Sequence, residues 1–122
     1  MRTGPLFMDT TALLRRYVHG PGRGLVLDAM AGDAPWCASA LCLAEMHLAL
    51  RHLAVNPAQQ RLLEARLRED WAAFWVVPVD GRALAVAAEI GAEYGLRTVD
   101  AIPLACAARL PHARATVGEH EV

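Results

Sequence analysis

The chain contains no lysine: all twelve of its basic residues are arginine. Arginine suits bidentate contacts to phosphate, but codon bias yields the same preference, and we read it that way. Neither sign of charge is in excess. Twelve basic residues stand against thirteen acidic ones, a net charge of −1, so bulk charge does not announce nucleic-acid binding and any basic patch has to be local. No apolar run is long enough to span a bilayer. Residues 1–5 carry no apolar signal core, and Asp9 interrupts the apolar run Leu6-Phe7-Met8. These absences predict a cytoplasmic protein that makes no membrane contact. Cysteine is sparse and odd in number. Cys37, Cys42 and Cys106 all stand in apolar surroundings, which reads as buried, reduced thiols. No repeat, linker or helix-turn-helix stands out, which leaves a DNA-binding regulator as a weak alternative.

What is present is a core. Hydrophobic residues make up 55% of the 122 residues and charged residues 20%, a balance that folds rather than stays disordered and that suits one domain over residues 1–122. The chain is organised around Leu6-Phe7-Met8-Asp9-Thr10-Thr11. Three apolar residues run into one acid, two hydroxyl residues come next, and a helix-like pattern continues through Tyr17. This is a short buried strand that ends on Asp9 and turns straight into a helix. Ligands of open α/β sheets bind beyond the carboxyl ends of their strands, so an acid placed there draws notice, although Asp and Thr are also ordinary helix caps.

Further along, Gly20-Pro21-Gly22 ends the first helix. Residues 23–30 form a second, with Leu25, Val26 and Ala29 on its apolar side. Trp36-Cys37-Ala38 is a short strand, and Ser39 caps a helix over residues 40–50. Pro57 opens the next helix, which runs to Phe74 with Leu62, Leu63, Leu67, Trp71 and Phe74 at helical spacing. Trp75-Val76-Val77-Pro78-Val79 is a strand, and Pro78 favours an edge or its end. Trp71, Phe74 and Trp75 are read as core rather than as stacking platforms for bases. Asp80 caps a helix that stops at Gly95. Residues 96–108 form a nearly all-apolar helix, and Arg114-Ala115-Thr116-Val117 a last strand. Strands alternating with helices predict a parallel sheet in an α/β domain.

Three acids share one oddity. Asp9, Glu45 and Asp100 each sit within an apolar stretch, at or near a helix. Each alone fits a cap or a buried pair with arginine. Gathered together, their charges repel strongly at low dielectric, and a hard divalent cation removes that repulsion. Mg²⁺ takes oxygen ligands and keeps several waters, so few carboxylates suffice. A metal there activates a water and polarises a phosphoryl oxygen, which is the chemistry of phosphodiester hydrolysis. Cys37, Cys42, His47 and His52 recur every five residues, but that step turns a helix by about 140° net, so they do not form a zinc site of usual spacing.

The segments Leu-Phe-Met-Asp9-Thr-Thr-Ala-Leu-Leu-Arg, Ala-Glu45-Met and Leu-Arg-Thr-Val-Asp100-Ala-Ile-Pro-Leu-Ala-Cys-Ala, in that order, resemble a PIN domain. They are most similar to the VapC toxins of bacterial toxin–antitoxin pairs. The resemblance runs from Leu6 to Thr116. It implies a three-layer α/β/α fold with a short parallel sheet, and an endoribonuclease that depends on Mg²⁺ or Mn²⁺. It also implies a homodimer silenced by a VapB-type antitoxin. Carried across, Asp9, Glu45 and Asp100 become metal ligands or orienters of the attacking water, with Thr10 as a supporting hydroxyl. Thr116 matches a family Thr that precedes a fourth acid. The family reads Thr, any residue, Asp; this chain reads Thr116-Val117-Gly118, and Glu119, one place late, is a partial substitute. The family also continues through a further helix and strand, whereas this sequence stops at Val122. That departure keeps a second function open, a binding module that captures an antitoxin and cleaves RNA poorly. Arg15 and Arg16 are candidates for contact with RNA or antitoxin, or else belong to a solvated face. If Asp100 caps its helix, Pro103 falls harmlessly in the first turn; if the helix starts earlier, Pro103 interrupts it.

Overall fold

A computed structural model of the chain describes residues 4–110. Its three described strands, β1 (Leu6–Phe7), β2 (Trp36–Ser39) and β3 (Trp75–Val77), are all parallel and lie in the order β1-β2-β3. Phe7 sits opposite Cys37, and Cys37 opposite Trp75. Two helices follow each strand: α1 (Thr10–Leu14) and α2 (Arg23–Ala31), α3 (Ala40–Leu53) and α4 (Pro57–Trp71), α5 (Gly81–Tyr94) and α6 (Thr98–Ala107). Parallel strands require such crossovers.

The alternation of side chains along the strands sorts them between two cores. Leu6, Met8 and Ala38 join Leu13, Tyr17, Met46, Leu50, Leu67 and Phe74 on the face covered by α1 to α4. Phe7, Cys37 and Val77 join Ala83, Ala87, Ala101, Ala105 and Cys106 on the face covered by α5 and α6. The result is the expected three-layer α/β/α arrangement. All three cysteines are buried free thiols.

Local chemistry sets the boundaries. Asp9, Ser39, Asn56 and Asp80 each cap a helix through a side-chain oxygen, and Pro57 occupies the first helical position of α4, where its missing N–H costs nothing. Gly95 ends α5 in the left-handed region, at φ +67°, a conformation that favours glycine. β3 stops at Val77, two residues short of the strand expected over residues 75–79, because Pro78 ends it, and it is an edge strand of the described sheet. α1 begins two residues earlier than its apolar pattern suggests, because Asp9 caps it directly. It then tightens into i→i−3 bonds from Arg15, Arg16 and Tyr17. α6 starts at Thr98, with Arg97 at its N-cap, so Asp100 is not the cap. Pro103 is the sixth residue of the helix and leaves the Val99 carbonyl without its usual donor.

Three core expectations are corrected. Leu25 and Leu62 are exposed. α2 buries Val26 and Met30, and α4 buries Leu63 and Leu67, and a neighbour one residue away is turned by about 100°. Trp75 is 58% exposed. The space beside Phe74 is already filled by Trp71, stacked at 5.1 Å between ring centroids, and Trp36 at 5.5 Å.

One polar knot ties α1 to α4. Asp70 accepts from Arg16 Nε at 2.9 Å and from the Tyr17 hydroxyl, while the Arg16 guanidinium lies over the Trp36 ring. Burial, and then the bond to Asp70, push the Tyr17 phenol well above its ordinary range. On the opposite face, Arg109 reaches back from the end of α6 to Asp80, the cap of α5, at 3.0 Å. None of the helices among the described residues is long and apolar enough to cross a membrane. The expected strand at Arg114 to Val117 lies outside the described residues.

Candidate functional site

The carboxyl ends of β1 and β2 open on a single cleft. β1 delivers Asp9. Met8 N–H is bonded to the Cys37 carbonyl, which fixes the backbone up to the acid, and Asp9 is only 7% exposed. Its Oδ1 accepts from Ala12 N–H at 2.8 Å, which is the cap of α1. Its Oδ2 is buried and has no hydrogen-bond partner. A buried carboxylate oxygen left without a partner is costly, so this atom is where a ligand would repay most.

β2 delivers α3. Ser39 Oγ accepts from Leu41 N–H and starts the helix. Cys42 and Glu45, three residues apart, then fall on one helical face. Glu45 Oε1 accepts from Thr10 Oγ1 at 2.6 Å, a bond that joins the first turn of α1 to α3. Asp9, Thr10, Ser39, Cys42, Glu45 and Pro103 line the cleft, a small one of about 10 Å³ that is open to solvent. Burial pushes the Cys42 thiol up to about 11, with Glu45 and Asp9 adding to the rise and a bond to Thr10 opposing it. Cys42 therefore stays a neutral thiol at neutral pH.

Asp100 stands apart from its two partners. It does not line the cleft, although Pro103, which shares its face of α6, does. Its carboxylate faces Arg97, with Oδ2 3.0 Å from Nε and Oδ1 3.5 Å from Nη2. Among the described residues, no group of three His, Cys, Asp or Glu side chains is close enough to hold one metal ion. The structure thus brings Asp9 and Glu45 to one cleft, with Thr10 bridging them, and leaves Asp100 at α6 with a different partner. Two carboxylates, one of them with an unpartnered oxygen, still suit a hard cation that keeps most of its waters.

Of the two arginines singled out in the sequence, Arg16 is held by Asp70. Arg15 packs against Gly22, where a Cβ would stand 2.7 Å from its Nη1. Thr116 and Glu119 lie outside the described residues. Cys42 is a lining residue that the acid pattern does not include. The signal that could have found it is its position one helical turn before Glu45.

Comparison with known proteins places this geometry. A family model described as the PIN domain matches residues 6–117. A solved toxin–antitoxin complex from Klebsiella pneumoniae includes a chain of similar fold. It is 21% identical with a TM-score of 0.69, over 91% of this chain and 82% of that one. FitAcB from Neisseria gonorrhoeae is similar too, at 21% identity and a TM-score of 0.71, over 85% of this chain and 81% of that one. No curated protein matches.

Proposed function

This chain belongs to the PIN domain family, and from that premise we propose that it is a metal-dependent endoribonuclease, the toxin of a VapC-type toxin–antitoxin pair. The observation that carries the reading is the buried, unpartnered Oδ2 of Asp9, in the cleft that Glu45 and Thr10 also line. Asp9, Glu45 and Asp100 are the residues that would hold Mg²⁺ or Mn²⁺, with Glu119 as a further candidate. When bound, such a cation lowers the pKa of a coordinated water and polarises the phosphoryl oxygen of the scissile bond.

The protein's own residues supply position. The Ala12 N–H holds one oxygen of Asp9 and leaves the other available. The Thr10 hydroxyl fixes the Glu45 carboxylate through one oxygen, so the second acid is oriented before any ligand arrives. In this reading Thr116 plays a supporting part at the same site. Arg15 and Arg16 would meet an RNA phosphate or an acidic antitoxin residue, Arg16 while sharing its guanidinium with Asp70. One solved structure of similar fold is a toxin–antitoxin complex, which supports an antitoxin as partner, and the VapB type is the one this reading assigns. A homodimer in the cytoplasm completes the proposal.

Incubation of the purified protein with RNA in Mg²⁺ or Mn²⁺, with EDTA as control, tests it. Cleavage that needs the metal and falls at least a hundredfold in Asp9→Asn is the expected result. That variant keeps an amide oxygen for the Ala12 cap and replaces the unpartnered Oδ2 with an NH₂ group that cannot ligate a cation. A second reading, a module that binds antitoxin and cleaves RNA poorly, is favoured by Gly118 in place of an acid and by Asp100 standing off the cleft wall. Antitoxin capture without cleavage at any metal level would support it.

A further inference from the structure

Two buried side-chain polar atoms among the described residues lack a hydrogen-bond partner. One is Asp9 Oδ2, in the acid cleft. The other is its positive counterpart, the Nε of Arg23, the first residue of α2. A buried guanidinium nitrogen without a partner is costly in the same way as a buried carboxylate oxygen, and an anion satisfies it best. Arg16, Arg51, Arg97 and Arg109 each have an acid within ion-pair distance. Arg23 has none among the described residues, and its Nε is left to a ligand. The turn before α2 passes through Gly22, at φ +83°, and gives the helix no side-chain cap. The first N–H groups of α2 therefore lack partners within the helix and carry partial positive charge. The guanidinium of Arg15, from the end of α1, lies against the same turn. A Cβ on Gly22 would stand 2.7 Å from its Nη1 and 3.3 Å from its Cζ, whereas a Cβ on Gly24 would meet nothing within 4 Å. Two arginines from different helices and an uncapped helix start thus meet at one open turn.

We propose that Arg15, Arg23 and the start of α2 bind one backbone phosphate of the RNA, outside the cleft in which the strand is cut. The inference rests on the RNA-cleaving reading and adds Arg23 and the α2 start to it. Two observations favour RNA over an acidic protein segment as the occupant. The net charge is −1, so a polyanion needs local positive sites. The second is that α1 links the two places. Asp9 caps its start and Arg15 its end, about 9 Å apart along the axis, so a strand held at the cleft extends within reach of Arg15.

The test is binding of a short, labelled single-stranded RNA, followed by fluorescence anisotropy in EDTA over a range of salt. Wild type is compared with Arg23→Met, which keeps the unbranched stem and removes the guanidinium, and with Arg23→Lys, which keeps the charge and loses the fork. Arg61→Ala is the control, since it removes the same unit of charge from an exposed position on α4. Arg23→Met is expected to bind the RNA about fivefold to tenfold more weakly, the scale of a lost charge-assisted contact. Its slope of log Kd against log salt should fall by about 0.7, one phosphate contact on a single strand. Arg23→Lys should lie between Arg23→Met and wild type, and Arg61→Ala close to wild type. Because the Nε has no partner in the protein alone, Arg23→Met should melt no lower than wild type. A lower melting temperature would show that Arg23 serves the fold and would overturn the proposal. So would RNA affinity and salt slope equal to those of Arg61→Ala, or unchanged RNA binding with weakened antitoxin capture, which would assign the turn to an acidic peptide. Wild type that binds no RNA at low salt would overturn the RNA reading and this inference together. Binding that depends on Arg23, with no cleavage in Mg²⁺ or Mn²⁺, would overturn the nuclease reading and support the phosphate site.

Discussion

The two faces of the sheet are built from different materials. The face under α1 to α4 is filled with Met8, Leu13, Tyr17, Met46, Leu50, Leu67 and Phe74. The face under α5 and α6 is filled largely with alanine and cysteine. There α6 packs against α5 so that a Cβ on Gly91 would stand 3.9 Å from the Ala101 Cβ, and the turn after α5 brings the Leu96 carbonyl oxygen to 3.0 Å from the same point. Large side chains gain stability through buried area, whereas small ones gain it through close backbone approach and leave little room for change. The proposed site straddles this divide. Asp9 and Glu45 come from the large-residue side, locked by Ala12 and Thr10. Asp100 comes from the small-residue side, on a helix whose first turn carries only the Arg97 pair at that position. Two acids are therefore preset, and the third is held by a contact that solvent screens.

Substitutions can sharpen or break that contrast. The largest effect belongs to truncation on the first face. Leu50→Ala, at a fully buried position, is expected to lose about 3 kcal/mol in urea denaturation through lost transfer energy and a residual cavity. On the second face enlargement is the damaging change. Ala87→Leu should lose about 2 kcal/mol by overpacking α5 against its neighbours, and a neutral result would mean that this face is looser than its alanines suggest.

A smaller loss, about 1.5 kcal/mol, is expected for Tyr17→Phe, which removes a hydrogen bond to a carboxylate. This substitution also has a pH signature. The folded phenol titrates above its unfolded value of about 10, through burial and then the bond to Asp70. Its stabilisation is therefore complete below pH about 10 and is lost as pH rises beyond it. The decline in melting temperature at alkaline pH should be shallower in Tyr17→Phe than in wild type. The smallest change should come from Trp75→Ala. Despite its size, Trp75 is mostly exposed, and the expected loss in thermal denaturation is under about 0.5 kcal/mol.

The sequence is most informative where local chemistry and global pattern agree. Asp9, Ser39 and Asp80 cap the helices that their positions suggest, and Gly95 ends the helix its position predicts. The α/β alternation and the parallel sheet come from apolar runs and from helical spacing. Helix faces are less legible. Leu25 and Leu62 fit an apolar stripe within their own helices, but which flank of that stripe meets the sheet is decided by the tertiary packing of neighbours such as Val26 and Leu63. Trp75 reads as core, yet Trp36 and Trp71 already enclose Phe74, a fact that depends on segments far apart in sequence. Isolated acids in apolar stretches single out Asp9 and Glu45, which the structure brings to one cleft. The same rule cannot show that Arg97, three residues before Asp100, takes that carboxylate, because arginine at that spacing on a helix is equally at home in solvent.

Growth of crystals in Mn²⁺, with anomalous scattering recorded from the metal, tests the central claim most directly. The account predicts a Mn²⁺ peak in the cleft between Asp9 and Glu45, with Asp9 Oδ2 as a ligand and Asp100 released from Arg97 towards the ion or its waters. A saturated crystal with no peak in that cleft, or with Mn²⁺ bound only at other acids, would contradict it.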